Sequence, residues 1–309
     1  MYFDAHCHLH EFKPETIREF LGREYSMIIV AVSDDYASSM KTLNLCETFK
    51  ENIVPCVGVH PWSINERGLE DLRSVIALIE KNDYIKCLGE VGLDKKFVPE
   101  TYDKQVVAFK EFVKIAKEHD LVLNIHAAGA WREVFDLLVK NDIEKALFHW
   151  YTGPLDLLNE ITSMGYYISI NPAVKIQEKH MKIMLSAPIT CMMAESDGPY
   201  KYRGMYLTPL MVPEVYRIIS EAISKGFIKA KELFRPIENK TEGLWEYLNK
   251  YGIDVKTDIP YVEIRYFILR GIVEGTKVRL QLPNISGNST VYKTSKIYLL
   301  PKDPLGRNI

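Results

Sequence analysis

Two histidines separated by one residue stand at the end of the first apolar run of the chain, Tyr2-Phe3-Asp4-Ala5-His6-Cys7-His8. Because side chains alternate between the two faces of a β-strand, His6 and His8 are expected to point to the same side. Two neutral imidazoles side by side make half of a metal site, and imidazole suits zinc, manganese, iron or nickel. Such a pair also occurs without any ligand role, so the interpretation depends on ligand-type residues further along the chain.

Ligand-type residues recur at the ends of short strand-like segments throughout the first 200 positions. The residues in these places are His6, His8, His60, Glu90, His126, His149 and Asp197. Of the remaining histidines, His119 and His180 fall in helical stretches and His10 lies just beyond the first strand. A pattern without functional meaning would scatter histidines over helix faces and loops, so the clustering favours a shared site.

The segments between these residues alternate regularly between strand and helix signals. Residues 27–32 form a near-continuous apolar run, which is typical of a buried parallel strand, and residues 36–50 then show helical spacing. Eight such units in roughly 225 residues predict a TIM (β/α)8 barrel. In that fold the loops at the carboxyl ends of the strands form the mouth, where the working side chains lie. The predicted strand ends should therefore bring the ligand-type residues together.

Four imidazoles and two carboxylates are more than one tetrahedral catalytic ion needs, so we expect two divalent metal ions that share a bridging carboxylate. Glu90, near the middle of the set, is the natural bridge. His6, His8 and Asp197 would complete one ion, and His126 and His149 would complete the other. Asp197 is also the candidate general base for water. Zinc, manganese and magnesium all stay open, and such a pair suits hydrolysis of a phosphodiester or another acyl-type bond.

Composition limits the other classes of protein. The 309 residues carry a formal charge of -2 and are 47% apolar, which is typical of a globular chain and not of a strongly basic nucleic-acid coat. No apolar run reaches the roughly 18 residues of a membrane span, and no secretory segment precedes the first strand. These features predict a cytoplasmic protein that does not enter a membrane. The five widely spaced cysteines predict reduced thiols.

Several strings carry a likeness to a known family. They are Asp4-Ala5-His6-Cys7-His8-Leu9, Gly58-Val59-His60-Pro61, Gly89-Glu90-Val91-Gly92-Leu93-Asp94, Asn124-Ile125-His126, Phe148-His149-Trp150-Tyr151-Thr152-Gly153 and Glu195-Ser196-Asp197-Gly198-Pro199-Tyr200. In this order, over residues 1 to about 250, they resemble TatD-family metal-dependent hydrolases of the amidohydrolase superfamily. The resemblance implies an amidohydrolase-type barrel, two divalent ions and deoxyribonuclease activity, often of the 3′-5′ exonuclease type. It also implies that His60 contacts the substrate.

The chain departs from that family around the mouth. After His126 the chain continues with Ala127-Ala128-Gly129, where the family usually has a hydroxyl residue and a basic residue. One wall of the predicted mouth therefore lacks polar side chains. Cations are added instead: Lys95-Lys96 follow Asp94, and Lys201-Tyr202-Arg203 follow Tyr200. Together with Trp62, Trp150, Tyr200 and Tyr202, these residues suit the phosphates and bases of a single-stranded or frayed DNA end. The candidate substrate-binding residues are His60, Lys95, Lys201, Tyr202 and Arg203.

The carboxyl-terminal stretch changes character. The barrel domain is predicted to span residues 1–252, with its closing helix at residues 233–249. Residues 253–309 lose the helical period and alternate like antiparallel strands. They contain nine Lys and Arg against five Asp and Glu, which gives this β-rich extension a net charge of +4. Three roles stay open for it: packing on the barrel, a homodimer contact, or guidance of nucleic acid.

Two enzymatic functions and one non-catalytic role follow from the sequence. The leading prediction is a metal-dependent deoxyribonuclease. The alternative is hydrolysis of a small ester, lactone, amide or aminoacyl bond by the same ions, motivated by the apolar residues after His126. A non-catalytic role in binding nucleic acid fits poorly, because the complete set of ligand-type residues is retained.

Overall fold

A computed structural model of the protein describes residues 2–22, 27–64 and 68–224. Eight strands form a single sheet in which every neighbouring pair is parallel and each strand pairs with the next along the chain. The strands are β1 (Tyr2–Cys7), β2 (Met27–Ala31), β3 (Ile53–Val57), β4 (Cys87–Gly92), β5 (Val122–His126), β6 (Ala146–Phe148), β7 (Tyr167–Ile170) and β8 (Met192–Ala194).

A helix follows each strand and covers the outside of the sheet. The helices are α1 (Pro14–Leu21), α2 (Tyr36–Thr48), α3 (Gly68–Lys81), α4 (Tyr102–His119), α5 (Trp131–Lys140), α6 (Leu155–Ser163), α7 (Glu178–Ser186) and α8 (Val212–Ser224). Local signals set several boundaries: Pro14 occupies the first turn of α1, and Asp35 and Ser38 form a capping box at the start of α2. This alternation confirms the predicted succession of eight strand–helix units.

Backbone hydrogen bonds beyond β8 bring the last strand back to the first. The Asp197 N–H donates to the His6 carbonyl over 2.9 Å, and the His8 N–H donates to the Gly198 carbonyl over 2.8 Å. The ring closes where the ligand-type residues of β1 and the segment after β8 meet. The TIM barrel prediction is therefore confirmed, and its mouth lies at the carboxyl ends of the strands.

β4 lies between β3 and β5, and all six of its residues are buried. Gly92 has φ of +148°, and a Cβ built there would lie 1.9 Å from the carbonyl oxygen of His126 on β5. Only glycine permits this approach, because it lacks a Cβ and tolerates positive φ. The close contact of β4 with β5 carries Glu90 and His126 towards the same point in the mouth.

A short hairpin after β8 is an element that the sequence pattern did not predict. It consists of β9 (Tyr200–Tyr202) and β10 (Met205–Leu207), which pair antiparallel across Arg203 and Gly204. Both turn residues have positive φ, +47° and +86°, which suits a tight two-residue hairpin turn. This hairpin places the predicted contact residues Lys201, Tyr202 and Arg203 on one projecting element.

The expectation of five reduced thiols is wrong for Cys56 and Cys87, which form a disulfide in this structure. They are register partners on β3 and β4 with Cα atoms 4.5 Å apart. Their separation of 31 residues hides this proximity in the sequence. Among the described residues, Cys7, Cys46 and Cys191 are free.

Some expectations reach beyond what this structure describes. The predicted closing helix at residues 233–249 and the β-rich extension at residues 253–309 lie outside the described residues. The domain division at residue 252 therefore stays a prediction, as does the cytoplasmic location. Among the described helices, none combines the length and the apolar character that crossing a membrane requires.

Candidate metal centre

Glu90 stands at the centre of the mouth, with imidazole nitrogens on both of its carboxylate oxygens. Oε2 lies 3.2 Å from Nε2 of His6 and 3.1 Å from Nε2 of His8. Oε1 lies 2.7 Å from Nδ1 of His126 and 3.0 Å from Nε2 of His149. The structure thus divides the four histidines into the two pairs expected from the sequence, one on each oxygen of the same carboxylate.

Asp197 joins the pair formed by His6 and His8. Its Oδ1 lies 3.6 Å from Nε2 of His6 and 3.7 Å from Nε2 of His8. Its backbone has φ of +53°, and its N–H donates a hydrogen bond to the His6 carbonyl oxygen. The buried Asp4 accepts the Ser196 N–H over 2.8 Å and so anchors the preceding residue. The segment after β8 is therefore bound to β1 on both sides of the carboxylate.

The outward nitrogens of His6 and His126 show which ring nitrogen carries the proton. The Asn124 amide N–H donates to the Ala5 carbonyl, so its Oδ1 accepts a hydrogen bond from Nδ1 of His6 over 2.8 Å. Asp94 Oδ2 accepts from Nε2 of His126 over 2.9 Å. In a neutral ring the inward nitrogen of each histidine is then bare. An acceptor behind a histidine in this way is typical of metal-ligating imidazoles.

Carboxylates lie behind the other two histidines of the centre as well. Nδ1 of His8 lies 3.0 Å from Oδ1 of Asp34. Nδ1 of His149 lies 3.6 Å from Oε1 of Glu195, a residue that is fully buried, and the hydrogen bond that this oxygen accepts comes from the Trp150 N–H over 3.0 Å. His6 and His126 thus have a hydrogen-bonded acceptor behind them, and His8 and His149 have a carboxylate nearby.

His60 reaches the same carboxylate in the opposite tautomer. Its Nδ1 accepts the backbone N–H of Trp62 over 3.1 Å, so in the neutral ring the proton is on Nε2. Nε2 lies 3.2 Å from Oε1 of Glu90 and 3.3 Å from Nδ1 of His126. His60 is therefore placed to donate a hydrogen bond to Glu90, and with that proton in place it offers no lone pair to a metal ion.

The electrostatics of the cluster are dominated by Glu90. Burial alone would raise its pKa, yet the imidazoles of His60 and His149 hold the pKa well below its usual value. Burial likewise opposes a charged His149, but Glu90 raises the pKa of that ring well above its usual value. Positive charge at the inward nitrogens is therefore stabilised, whether supplied by protons or by cations.

The donor set fits divalent ions in chemistry and in spacing. Ligands about 2.1 Å from one ion lie about 3.0 Å apart at right angles and about 3.4 Å apart in a tetrahedron. The two nitrogens of His6 and His8 are 3.4 Å apart, and their distances to Glu90 and Asp197 lie between 3.1 and 3.7 Å. Bare nitrogens facing carboxylate oxygens at this spacing repel one another unless positive charge lies between them.

Aromatic side chains line two sides of the mouth. On one side Trp62 is 48% exposed, packs edge-on against Phe97 and donates its indole N–H to Asp94 over 2.6 Å. On the other side, the ring centroid of Trp150 lies 5.1 Å from that of Tyr202 and 5.9 Å from that of Tyr200 on the hairpin. These rings offer flat apolar surfaces beside the carboxylates.

The candidate cations of the mouth differ in their surroundings. The Arg203 guanidinium lies over the Tyr202 ring at 5.4 Å, and Lys201 is exposed. Lys95 instead pairs with Glu133 and lies over the Tyr102 ring at 4.8 Å. A phosphate would have to compete with that carboxylate for Lys95. The structure therefore favours Lys201 and Arg203 over Lys95 as substrate contacts.

Sequence reasoning assigned no role to the groups behind the histidines. Asn124, Asp94 and Glu195 lie within the quoted strings, and Asp34 follows β2, but the spacing of the chain does not show which ring each one faces. Glu195 directly follows β8 and Asp34 lies in the loop after β2, and this position beyond the carboxyl end of a strand is the signal that would have identified them as members of the site.

An eight-stranded parallel barrel with imidazoles and carboxylates gathered at its mouth is the construction of a metal-dependent hydrolase. The family model described as TatD related DNase matches residues 3–245. This chain belongs to that family and is a hydrolase. An uncharacterized metal-dependent hydrolase of Methanocaldococcus jannaschii is 30% identical over 232 residues, which cover 72% of this chain and 88% of that protein.

Other relatives agree with this classification. The human protein named deoxyribonuclease TATDN3 is 29% identical over 213 residues, which cover 63% of this chain and 77% of that protein. Among solved structures, YJJV, a TatD homologue from Escherichia coli, superposes with a TM-score of 0.65 at 20% identity, over 78% of this chain and 96% of the other. At this identity the structural likeness supports the fold.

Proposed function

We propose that this protein is a metal-dependent deoxyribonuclease that hydrolyses phosphodiester bonds at a DNA end, most readily a single-stranded or frayed one, with two divalent ions. The observation that carries the proposal is the division of imidazoles across the two oxygens of Glu90. His6, His8, Asp197 and Glu90 would hold one ion, and His126, His149 and Glu90 the other. The DNase name of the family and of the human relative supports the substrate class.

Zinc, manganese or magnesium held by these residues would supply charge that polarises a phosphoryl oxygen and lowers the pKa of water. The side chains of this protein supply the general base and the orientation of the groups around the ions. Asp197 lies beside His6 and His8 with a pKa raised by burial, which suits a group that takes a proton from water. His60 presents its Nε2 proton to Glu90 and keeps that carboxylate oriented. The hydrolytic products are expected to be 5′-mononucleotides released from a 3′ end.

The aromatic surfaces at the mouth support a nucleic-acid substrate over a small ester. Trp150 and Tyr202 on one side, and Trp62 on the other, can stack bases while Lys201 and Arg203 meet phosphates. Base stacking contributes about 1 to 3 kcal/mol per base. The buried Ala127, next to His126, removes polar recognition from the remaining wall and favours the alternative of a small ester, lactone, amide or aminoacyl substrate.

The test uses the full chain, stripped of metal and then supplied with magnesium, manganese or zinc, on 3′-end-labelled and 5′-end-labelled single-stranded DNA. Asp197→Asn is expected to lower the rate by at least about a thousandfold, because a base and a ligand are lost together. Asp103→Asn, at an exposed position in the first turn of α4, is the matched control and should keep full activity. Absence of nucleotide release with every metal would refute the proposal.

A second variant separates the nuclease from the alternative. Tyr202→Ala should raise KM for single-stranded DNA by roughly 5-fold to 150-fold, the equivalent of one stacked base. It should leave turnover of a small chromogenic phosphodiester unchanged. Tyr167→Ala, at an exposed position at the start of β7 and away from the mouth, is the control. Efficient turnover of chromogenic esters together with no release from DNA would favour the small-molecule alternative.

A further inference from the structure

A second group of metal-ligating side chains lies beside the centre, on the outward side of His8. His10 and Glu11 belong to the short 3-10 turn after β1, and Asp34 follows β2. One ligand atom from each of His8, His10, Glu11 and Asp34 lies within 4.8 Å of the others. The two oxygens of Asp34 are divided between rings, with Oδ1 3.0 Å from Nδ1 of His8 and Oδ2 3.1 Å from Nε2 of His10.

The orientation of His10 points to a ligand. Its side chain is 6% exposed, and its Nδ1 lies 3.1 Å from the carbonyl oxygen of Val32. A carbonyl oxygen only accepts hydrogen bonds, so Nδ1 carries the proton and the neutral ring has a bare Nε2. That bare nitrogen faces Oδ2 of Asp34, so two lone pairs meet at 3.1 Å. Either a proton on Nε2 or a cation between the two atoms removes this repulsion, and the cluster of ligand atoms around them supplies the coordination that a cation requires.

The separation of these atoms suits a shared cation. Two ligands about 2.1 Å from one ion and at right angles to each other lie about 3.0 Å apart. Glu11 adds a second carboxylate within reach and is exposed, which leaves a path from solvent. His8 contributes no bond here, because its bare Nε2 faces Glu90 in the main centre and the proton of the neutral ring is then on Nδ1.

We propose that His10, Asp34 and Glu11 form a third divalent-cation site, separate from the two positions on Glu90. Two carboxylates neutralise the charge of the ion, one imidazole fixes its position, and water fills the remaining places. An imidazole with two carboxylates suits manganese or zinc. With three protein ligands and an exposed edge, this site binds more weakly than the two sites on Glu90. The inference concerns binding alone and holds whatever bond the enzyme cleaves.

The test counts ions on the full chain. Metal-stripped protein is titrated with Mn²⁺, and free Mn²⁺ is followed by its electron paramagnetic resonance signal. Wild-type protein should bind three ions, the third about tenfold more weakly than the others. His10→Gln and Glu11→Gln should each bind two ions and keep the affinities of those two. His119→Gln, at an exposed position at the end of α4, is the matched control and should bind three.

Each outcome decides the inference. Two ions on wild-type protein, at Mn²⁺ concentrations tenfold beyond saturation of those two, would overturn the third site and leave the centre on Glu90 intact. Three ions on both variants would overturn the assignment to His10 and Glu11. Fewer than two ions on wild-type protein would overturn this inference and the proposed two-ion function together. Because Glu11 is exposed, Glu11→Gln should fold normally and decides the case if His10→Gln does not fold.

Discussion

Replacing Asp94 with asparagine should weaken one ion of the proposed pair and leave the other unchanged. Asp94 Oδ2 accepts the proton on Nε2 of His126, which leaves Nδ1 bare towards Glu90. Its Oδ1 accepts the backbone N–H groups of Lys96 and Phe97, each over 2.8 Å. An asparagine would keep its oxygen on those two donors and present its NH₂ group to the ring. The imidazole would then adopt the other tautomer, with a proton on the nitrogen that should bind the ion.

The size of the effect follows from the strength of this contact. Although burial opposes ionisation, hydrogen bonds from His126 and from the Trp62 indole hold the pKa of Asp94 at about 2. Removing the acceptor behind a metal-ligating histidine costs about 10-fold to 100-fold in metal affinity, or about 1.4 to 2.8 kcal/mol. The loss should fall on the ion held by His126 and His149. The ion held by His6, His8 and Asp197 serves as the internal reference.

The assay is a competition titration of metal-stripped protein against a chelating dye, which resolves two binding constants. Trp62→Phe is the matched variant, because it removes the other hydrogen bond to Oδ2 of Asp94 and leaves the contact with His126. It should retain both constants within about twofold. If Asp94→Asn weakens the binding of both ions equally, or leaves both binding constants unchanged, the inference that Asp94 orients His126 for metal binding is refuted.

Two further predictions concern protons. Metal uptake at pH 7 should release protons and should weaken as the pH falls, because a nitrogen must lose its proton before it can bind metal. Against the effect of burial, Asp34 raises the pKa of His8 well above 6.5, and Glu90 raises the pKa of His149 well above 6.5. Equal calorimetric heats of metal binding in buffers of different ionisation enthalpy would contradict this prediction. Burial lowers the pKa of His180 from 6.5 to about 4, so the folded state binds fewer protons than the unfolded state between these values. The free energy of unfolding of the metal-stripped protein should therefore lose about 3 kcal/mol from His180 as the pH falls through that window, and His180→Asn should show a smaller loss in denaturant titrations followed by circular dichroism.

The sequence predicted the barrel because its strands are short apolar runs at regular spacing. β2 is a clear case: the run over residues 27–32 is observed as Met27–Ala31. Helical periodicity likewise placed α2, since helical spacing was expected over residues 36–50 and Tyr36–Thr48 is observed. Because the carboxyl ends of parallel strands meet at the mouth of a barrel, the sequence also predicted that Glu90 and the four histidines lie close together.

The sequence did not predict features that depend on contacts between distant side chains. Asn124 faces His6 across 118 positions of the chain, and no local pattern connects an amide on β5 to a ring on β1. The disulfide of Cys56 and Cys87 likewise depends on strand register, which spacing alone does not define. The hairpin at Tyr200–Leu207 was missed because each of its strands has only three residues, too few for alternation to be recognised.

The number of histidines alone would overestimate the ligands of the proposed metal centre. Five imidazoles approach Glu90, all from strand ends and all largely buried, so neither residue type nor position distinguishes them. The group behind each ring does. An acceptor behind His6 or His126 holds a proton outward and leaves a bare nitrogen inward, whereas the Trp62 N–H behind His60 leaves the proton inward. The backbone hydrogen bond from Trp62 therefore distinguishes His60, which donates a hydrogen bond to Glu90, from the rings that can bind metal. This difference explains how five histidines can lie around the two oxygens of one carboxylate.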